Sequence, residues 1–183
     1  YFITEPIAEF VQRDVEIPVM RDPSASAYYR QEQKSALIGI YETDVAVQAW
    51  RSANGQPKWS SDSELFEADF DRVYEQFARV LERMPILAEA GIQTVVNGAI
   101  PHTPDDNPLV GPAGGLRNFW QCCGASIGIA QGAGCGKFLA QWMVHGAADV
   151  NMASLDPRRF GAYANDDYVA AKAIDAYIQM YAL

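Results

Sequence analysis

GAIPHTPD at residues 98–105 and NFWQCCGASIGIAQGAGCGK at residues 118–137 are the two stretches that decide the fold of this chain. The second stretch predicts a buried strand at 117–123, a turn of small residues, and a helix from Ser126 to about His145. The N–H groups in the first turn of such a helix have no helical acceptor, and the helix dipole adds partial positive charge there. The sequence therefore predicts a site for an electron-rich or anionic ligand at this strand-to-helix turn.

Neither of two common phosphate-binding motifs fits the glycine-rich stretch. A Walker A loop would need a glycine at Gln131 and a Ser or Thr at Phe138. The dinucleotide fingerprint Gly-x-Gly-x-x-Gly cannot be written here, and the segment lies late in the chain. The glycines between 128 and 136 recur at near-helical spacing. This spacing favours either tight packing of the helix on a sheet or the close approach of a flat ligand.

Composition limits the class of protein. The chain has 183 residues, 49% of them hydrophobic, which is enough to bury a core in one domain or two small ones. Lys and Arg number 14 against 23 Asp and Glu, for a formal net charge of −9. This balance argues against a nucleic-acid or anionic-membrane surface, since both need positive potential. Every apolar run is interrupted before it reaches bilayer length, so no transmembrane helix is expected.

Cysteine and histidine positions predict no metal site. The cysteines are Cys122, Cys123 and Cys135, and an odd count with two adjacent residues predicts reduced, structural thiols. Neither His102 nor His145 lies at a ligand-like spacing from them. We expect His102 in a loop rather than as a base. His145 is expected at a helix C-terminus, where a partly charged imidazole suits the dipole.

The rest of the chain alternates strand and helix patterns. Residues 1–41 predict an antiparallel sheet, with a turn at 21–26 between strands and a strand pair at 28–32 and 36–42. A helix capped by Asp62 or Ser63 is predicted to run to Pro85, followed by a strand at 92–98 and a last helix at 166–183. The opening residues contain neither an initiator Met nor a signal peptide, so a piece of a longer polypeptide is expected.

Motifs throughout the chain carry a family resemblance: TEPI at 4–7, PVMRDP at 18–23, YYRQE at 28–32, NG at 97–98, TPD at 103–105, PLVG at 108–111, GLRN at 115–118, SIGI at 126–129, GCGK at 134–137 and DPRRF at 156–160. Together they resemble the FAD-dependent oxidoreductases of the D-amino-acid-oxidase superfamily. The most similar branch is that of the dimethylglycine and sarcosine dehydrogenases, including dimethylglycine oxidase. The resemblance covers nearly the whole chain.

The resemblance implies an α+β fold with an antiparallel substrate-binding sheet flanked by helices, plus the carboxy-terminal strand–helix portion of an FAD-binding domain. Residues 1–92 would form the substrate-binding subdomain, residues 93–160 the FAD-binding portion and residues 161–183 a helical linker. The dinucleotide fingerprint and the folate-binding domain of such proteins would lie outside this chain. The isolated chain is therefore expected to bind FAD weakly or not at all.

The same resemblance implies a reaction and its residues. Hydride would pass from an N-methyl carbon to FAD, leaving an iminium ion that hydrolyses or gives its one-carbon unit to folate. Tyr29, in preference to Tyr28, would be the catalytic tyrosine facing the substrate. Two groups of residues would contact the flavin ring. Beside the ring would lie Gly98, Ala99, Ile100 and Pro101, and at its pyrimidine end Ser126, Ile127, Gly128, Ile129 and Ala130. No covalent link to the flavin is expected at position 98.

An alternative is a non-catalytic subunit or assembly module that needs a partner chain to complete the FAD site. The expected small-molecule partner is an N-methylated amine or amino acid, with folate binding through a domain outside this chain. Neither nucleic acid nor membrane is expected as a partner. The expected compartment is the cytoplasm, or the mitochondrial matrix in a eukaryote.

Overall fold

The computed structural model describes residues 1–43, 49–50 and 57–181. It forms two compact units, one of Tyr1–Ala99 with the residues from Ile178 onward, the other of Ile100–Tyr177. The first unit contains, in chain order, β1 (Phe2–Thr4), α1 (Ala8–Val11), β2 (Met20–Asp22), β3 (Ala27–Glu32), β4 (Ser35–Ile40), β5 (Leu65–Phe66), α2 (Tyr74–Arg83), β6 (Ile92–Val95) and β7 (Asn97–Gly98). The second contains β8 (Leu109–Pro112), β9 (Trp120–Cys123), α3 (Gly128–His145) and most of α4 (Asp166–Ile178).

The first unit is built on a five-stranded sheet in the order β2-β3-β4-β1-β6. Each neighbouring pair in it is antiparallel, with Tyr29 opposite Ile38 and Phe2 opposite both Ile38 and Val95. This confirms the predicted α+β class with an antiparallel sheet. The predicted functional division at residues 92 and 160 stays a prediction.

The core of the first unit lies on one face of the sheet. Along β3, burial alternates residue by residue, with Ala27, Tyr29 and Gln31 buried, because successive side chains of a strand point to opposite faces. Phe2 contacts Phe77 of α2 at a ring-centroid distance of 5.2 Å. The apolar face of α2 therefore covers the sheet.

The helix predicted to start at Asp62 or Ser63 begins about ten residues later. Leu65 and Phe66 form β5, pairing with Gly98 and Asn97, and α2 starts only at Tyr74. The side chain of Asp69, rather than Asp62 or Ser63, accepts a hydrogen bond from the N–H of Arg72 at the start of the helical segment. The end of α2 at Arg83, before Pro85, is as predicted.

The second unit packs α3 against a β-hairpin. Strands β8 and β9 are antiparallel, and Val110, Cys135 and Met152 form the centre of a small core with Trp142 and Leu139 around it. The strand predicted at 117–123 begins only at Trp120, and it is not buried as predicted, since Cys122 and Cys123 are exposed. The 3-10 helix Pro157–Arg159 also packs against β8, whose residues Val110 and Gly111 are both buried.

Helix α3 ends at Gly146, a glycine in the left-handed conformation with φ 75°, whose N–H donates to the carbonyl of Trp142. His145 therefore lies in the last turn, as predicted. Helix α4 covers Asp166–Ile178, which is most of the predicted last helix; residues 182–183 lie outside the described part. None of the helices in the described ranges combines the length and hydropathy needed to cross a bilayer.

Candidate functional site

In the second unit, the loop at 101–108 and the turn at 124–127 lie at the same end of the β-hairpin. Leu109, the first residue of β8, pairs with Cys123, the last residue of β9. The loop that enters β8 from Pro101 and the turn that leads from β9 to Ser126 are therefore neighbours. A Cβ placed on Gly124, which has φ +71°, would lie 2.8 Å from Cγ2 of Thr103. Only glycine fits this contact without strain.

Most of the predicted flavin-contacting residues are exposed. Ile100 and Pro101 lie on the loop of the second unit, and Ser126 is half-buried in the turn. Ile127 is exposed and Ile129 fully so, although both are large apolar residues. Gly98 and Ala99 belong to the first unit, where Gly98 of β7 pairs with Leu65 and is itself exposed.

The N-terminus of α3 is one part of the candidate site. Ile127 occupies the N-cap position, and in the described part of the chain no side chain caps this end. The N–H of Gln131 donates to the carbonyl of Ile127 at 3.1 Å. The preceding N–H groups of Gly128, Ile129 and Ala130 lie in the first turn, which has no helical acceptors. They can therefore stabilise negative charge on a bound group.

The glycines of α3 do not serve helix-on-sheet packing in this chain. A Cβ built on Gly128, Gly132, Gly134 or Gly136 meets no atom of the described residues within 4 Å. The packing interpretation of the glycine spacing is therefore wrong for the chain by itself. The open face leaves room for a flat ligand or another backbone, the second interpretation.

The loop at 101–108 is held by hydrogen bonds of its own. The buried hydroxyl of Thr103 donates to the carbonyl of Asn107 at 2.8 Å, and the N–H of Asn107 donates to Asp105 at 3.1 Å. Nδ1 of His102 lies 3.0 Å from Oδ1 of Asp106. The His102 side chain is 4% exposed and its ring contacts that of Tyr177 edge-on, which is the loop position expected for it.

Arg159 makes the largest set of contacts to this loop. Its Nε and Nη2 donate to the two carboxylate oxygens of Asp105 at 2.7 and 2.8 Å. Nη2 also donates to the carbonyl of Asn107 at 2.8 Å and Nη1 to that of Pro108 at 3.3 Å. Burial alone would raise the pKa of Asp105, but hydrogen bonds, above all from Arg159, hold that pKa below its usual value.

Tyr29 lies in the core of the first unit. Its side chain is 5% exposed, and its hydroxyl donates to Asp22 at 2.8 Å. The same carboxylate accepts from the N–H groups of Ser24 and Ala25 and is paired with Arg83. Although burial opposes it, the hydrogen bonds from Tyr29 and Arg83 lower the pKa of Asp22. Burial, followed by the Asp22 contact, raises the pKa of Tyr29.

Tyr28 points to the opposite face of β3, as strand alternation predicts. It is half-buried, and its ring covers Gly39 of β4, where a Cβ would lie 2.1 Å from the ring. Its ring centroid is 6.3 Å from that of Tyr41. The two tyrosines therefore have separate surroundings, and the catalytic assignment of Tyr29 stays a prediction.

Sequence reasoning missed Arg159, Asp22 and Arg83. Each contributes through a partner distant in sequence: Arg159 lies 54 residues from Asp105, and Arg83 lies 61 residues from Asp22. The only available signal was that Arg159 and Asp22 fall inside motifs that carry the family resemblance.

The described residues contain no group of three or more His, Cys, Asp and Glu side chains placed to hold a metal ion. Cys122, Cys123 and Cys135 are free thiols. Burial raises the pKa of Cys135, which keeps this thiol protonated.

Comparison with known families matches residues 1–142 to the model described as FAD dependent oxidoreductase, and residues 145–183 to that described as FAD dependent oxidoreductase central domain. The chain is 39% identical over 179 residues to the mitochondrial dimethylglycine dehydrogenase of Homo sapiens, covering 97% of this chain and 21% of that protein. It is 33% identical over 186 residues to the mitochondrial sarcosine dehydrogenase of Mus musculus, covering 100% of this chain and 19% of that protein. The chain thus spans about a fifth of the length of these relatives.

Among solved structures, the fold is similar to that of L-proline dehydrogenase from P. horikoshii. The TM-score is 0.65 at 20% sequence identity, with 87% of this chain and 38% of that chain covered. At this identity the likeness supports the fold alone. The resemblance found from the motifs is confirmed by the family matches and the two dehydrogenases.

Proposed function

Since this chain belongs to the family of FAD dependent oxidoreductases, we propose that it forms the substrate-binding and flavin-ring part of an amine oxidoreductase. Its substrate is an N-methylated glycine derivative, the class named in the dimethylglycine and sarcosine dehydrogenases to which it is similar. In the reaction one C–H bond of the N-methyl group breaks. The resulting iminium carbon takes up water and gives formaldehyde and the demethylated amine.

The observation that carries this proposal is the uncapped N-terminus of α3 beside the loop at 101–108. FAD, when bound, accepts the hydride at N5, and negative charge develops toward its pyrimidine end. The first-turn N–H groups of Gly128, Ile129 and Ala130 stabilise that charge without having to reorganise. Gly98, Ala99, Ile100, Pro101, Ser126 and Ile127 are the remaining residues that we propose to contact the ring. Their exposure, with Ser126 half-buried, fits a surface that a cofactor covers.

We assign Tyr29 to the substrate. Its hydroxyl proton is engaged by Asp22, but the phenol oxygen keeps lone pairs that can accept a hydrogen bond from the protonated amine in which the substrate arrives. That proton must pass to solvent before the N-methyl group loses hydride. Asp22, itself fixed by the N–H groups of Ser24 and Ala25, would hold the Tyr29 ring in one orientation. Tyr29 would then orient the amine rather than exchange its own proton.

Anaerobic reduction of the flavoprotein, expressed from its complete gene, tests this function. Dimethylglycine or sarcosine should bleach the flavin absorbance and yield formaldehyde, whereas glycine, which lacks an N-methyl group, should do neither. A flavoprotein that stays oxidised with both methylated substrates would contradict the proposal.

A second candidate is a non-catalytic subunit whose partner chain supplies the rest of the FAD site. The open glycine face of α3 favours it, because a helix with glycines facing empty space fits closely against another backbone. Mass spectrometry of the native assembly separates the two: a second chain carrying Gly-x-Gly-x-x-Gly supports a divided protein, and a single long chain supports the enzyme.

We further propose that the protein works in the cytoplasm or the mitochondrial matrix, with a folate-binding domain elsewhere in the same assembly.

A further inference from the structure

Arg159 connects two parts of the second unit. It ends the short 3-10 helix Pro157–Arg159, and its guanidinium reaches Asp105 and the carbonyls of Asn107 and Pro108. Nη1 also donates back to the carbonyl of Asp156 at 3.2 Å. Four hydrogen bonds from one side chain thus fix the segment that leads into β8, and a fifth ties the guanidinium to its own segment.

The contact uses the particular shape of arginine. The two donors aimed at Asp105 form a bidentate, planar pair, while the remaining N–H groups satisfy backbone carbonyls. A lysine ammonium keeps the charge but cannot present parallel donors to both carboxylate oxygens. The Arg159 side chain is 13% exposed and the Asp105 side chain 37%, so the bonds to the loop carbonyls are the better shielded from water.

The loop that Arg159 holds is in contact with the turn before α3. The hydroxyl oxygen of Thr103, whose proton goes to the carbonyl of Asn107, lies 3.2 Å from Oδ1 of Asp105, and Cγ2 of Thr103 lies against Gly124. Gly124 is followed by Ala125 and then by Ser126. Packing therefore connects Arg159 to the segment that begins α3, through Asp105 and Thr103.

We propose that Arg159 is a positioning residue of the flavin site: by clamping Asp105 it sets the distance between the loop at 101–108 and the turn at 124–127. This inference rests on the proposed function, since Pro101 in the loop and Ser126 and Ile127 in the turn are among the residues that we propose to contact the flavin ring. Arg159 itself touches neither cofactor nor substrate in this role. Its effect is to keep the first-turn N–H groups of α3 and the loop beside Pro101 in register.

A structural role and a positioning role make different predictions. If Arg159 only stabilises the fold, its loss lowers the unfolding temperature while the bound flavin keeps its spectrum and turnover. If it positions the site, the visible circular dichroism of the flavin changes and kcat falls even at saturating FAD. Misplacement by about 1 Å can cost up to about 100-fold in rate.

The experiment uses the flavoprotein expressed from its complete gene, with the variants Arg159→Lys, Arg159→Gln, Asp105→Asn and the double variant Asp105→Asn/Arg159→Gln. Arg158→Gln is the matched control, because Arg158 is 52% exposed and its side chain, among the described residues, hydrogen-bonds to Asp156 rather than to the loop. For each protein, FAD affinity, flavin circular dichroism, thermal unfolding, and kcat and KM for dimethylglycine are measured below the unfolding temperature.

We expect Arg159→Gln and Asp105→Asn to lower kcat by about 10- to 100-fold with little change in KM, and to alter the flavin spectrum. The double variant should be no worse than the worse single variant, since both remove one clamp. Arg159→Lys should recover only part of the loss, and Arg158→Gln should match the wild type.

Folded Arg159→Lys and Asp105→Asn proteins with wild-type flavin spectra and kcat would overturn the inference, whatever their stability. Equal effects of Arg158→Gln and Arg159→Gln would overturn it too. A wild-type protein that binds FAD but is not reduced by either methylated substrate would instead contradict the proposed reaction, while the spectral comparison would still decide the role of Arg159. A wild type that binds no FAD would overturn both.

Discussion

The phenol hydroxyl of Tyr29 donates a 2.8 Å hydrogen bond to the carboxylate of Asp22, and both side chains are 5% exposed. A buried carboxylate is costly unless hydrogen bonds and an opposite charge compensate it. Tyr29, the N–H groups of Ser24 and Ala25, and Arg83 provide that compensation. The tyrosine that we propose for the substrate is thus also part of the structural core.

Tyr29→Phe should lower the free energy of unfolding by about 1–3 kcal/mol, because it leaves a buried carboxylate short of one donor. Tyr28→Phe is the matched control on the opposite face of β3 and should cost less. Urea denaturation of the isolated chain measures both. Equal stability of the two variants would contradict a structural role for the Tyr29–Asp22 hydrogen bond. If Tyr29 also orients the amine, the Tyr29→Phe flavoprotein should show a raised KM for dimethylglycine.

Acid should destabilise the chain through Asp22 and Asp105, whose pKa values are both lowered in the folded state. Such groups bind protons more tightly when unfolded. Their contribution to the free energy of unfolding is therefore fully present above the pKa of the unfolded state, about 3.9. It is lost as the pH falls through the pKa of the folded state. Urea midpoints measured from pH 7 to pH 3 should decrease most steeply below about pH 5.

Asp22→Asn is the comparison for this pH dependence. The variant should be less stable at pH 7 and should lose less stability on acidification, since one of the carboxylates whose pKa is lowered in the folded state is gone. Parallel curves for the variant and the wild type would show that Asp22 does not contribute to the acid sensitivity.

Gly124→Ala should destabilise the second unit more than Gly115→Ala does. Both glycines have positive φ, +71° and +74°, so each alanine costs about 1–2 kcal/mol of backbone strain. At Gly115 a new Cβ meets nothing within 4 Å, whereas at Gly124 it lies 2.8 Å from Thr103. Thermal unfolding of the two variants isolates the clash. A smaller loss at Gly124 would mean that the loop and the turn are not in contact.

Gly132→Ala should have opposite effects on the isolated chain and on the flavoprotein. In the isolated chain it should stabilise α3 by about 1 kcal/mol, because no atom of the described residues opposes the new methyl group. In the flavoprotein the same methyl group should obstruct whatever covers this face and weaken FAD retention. Gly146→Ala, at a left-handed C-cap, should instead lower stability in both. Unchanged FAD retention in Gly132→Ala would argue that the face stays open.

Local patterns predicted those elements whose partners are near in sequence. The strand pair of β3 and β4 follows from two β-rich runs that lie close together in the sequence, and the end of α2 follows from Pro85. Leu65 and Phe66 fit helical spacing, but they form a strand because Gly98 and Asn97 pair with them. Such a pairing across more than 30 residues leaves no trace in a local periodicity.

The candidate site was predicted to a similar extent. The motifs pointed to the glycine-rich turn and to Tyr29, and alternation placed Tyr28 and Tyr29 on opposite faces. The partners that fix these residues, Asp22 for Tyr29 and Arg159 for the loop, depend on tertiary contacts. A sequence cannot indicate which of its 14 basic residues will meet which carboxylate.

The fully exposed Ile129 has a consequence for solubility. Its side chain, together with those of Met143 and Val144 on the same helix, remains in water in the chain by itself. Burying one such side chain releases about 1.5–3 kcal/mol, so a covering surface that buries several would bind with a large hydrophobic gain and a negative heat-capacity change. Until it is covered, α3 should make the chain prone to self-association as its concentration rises.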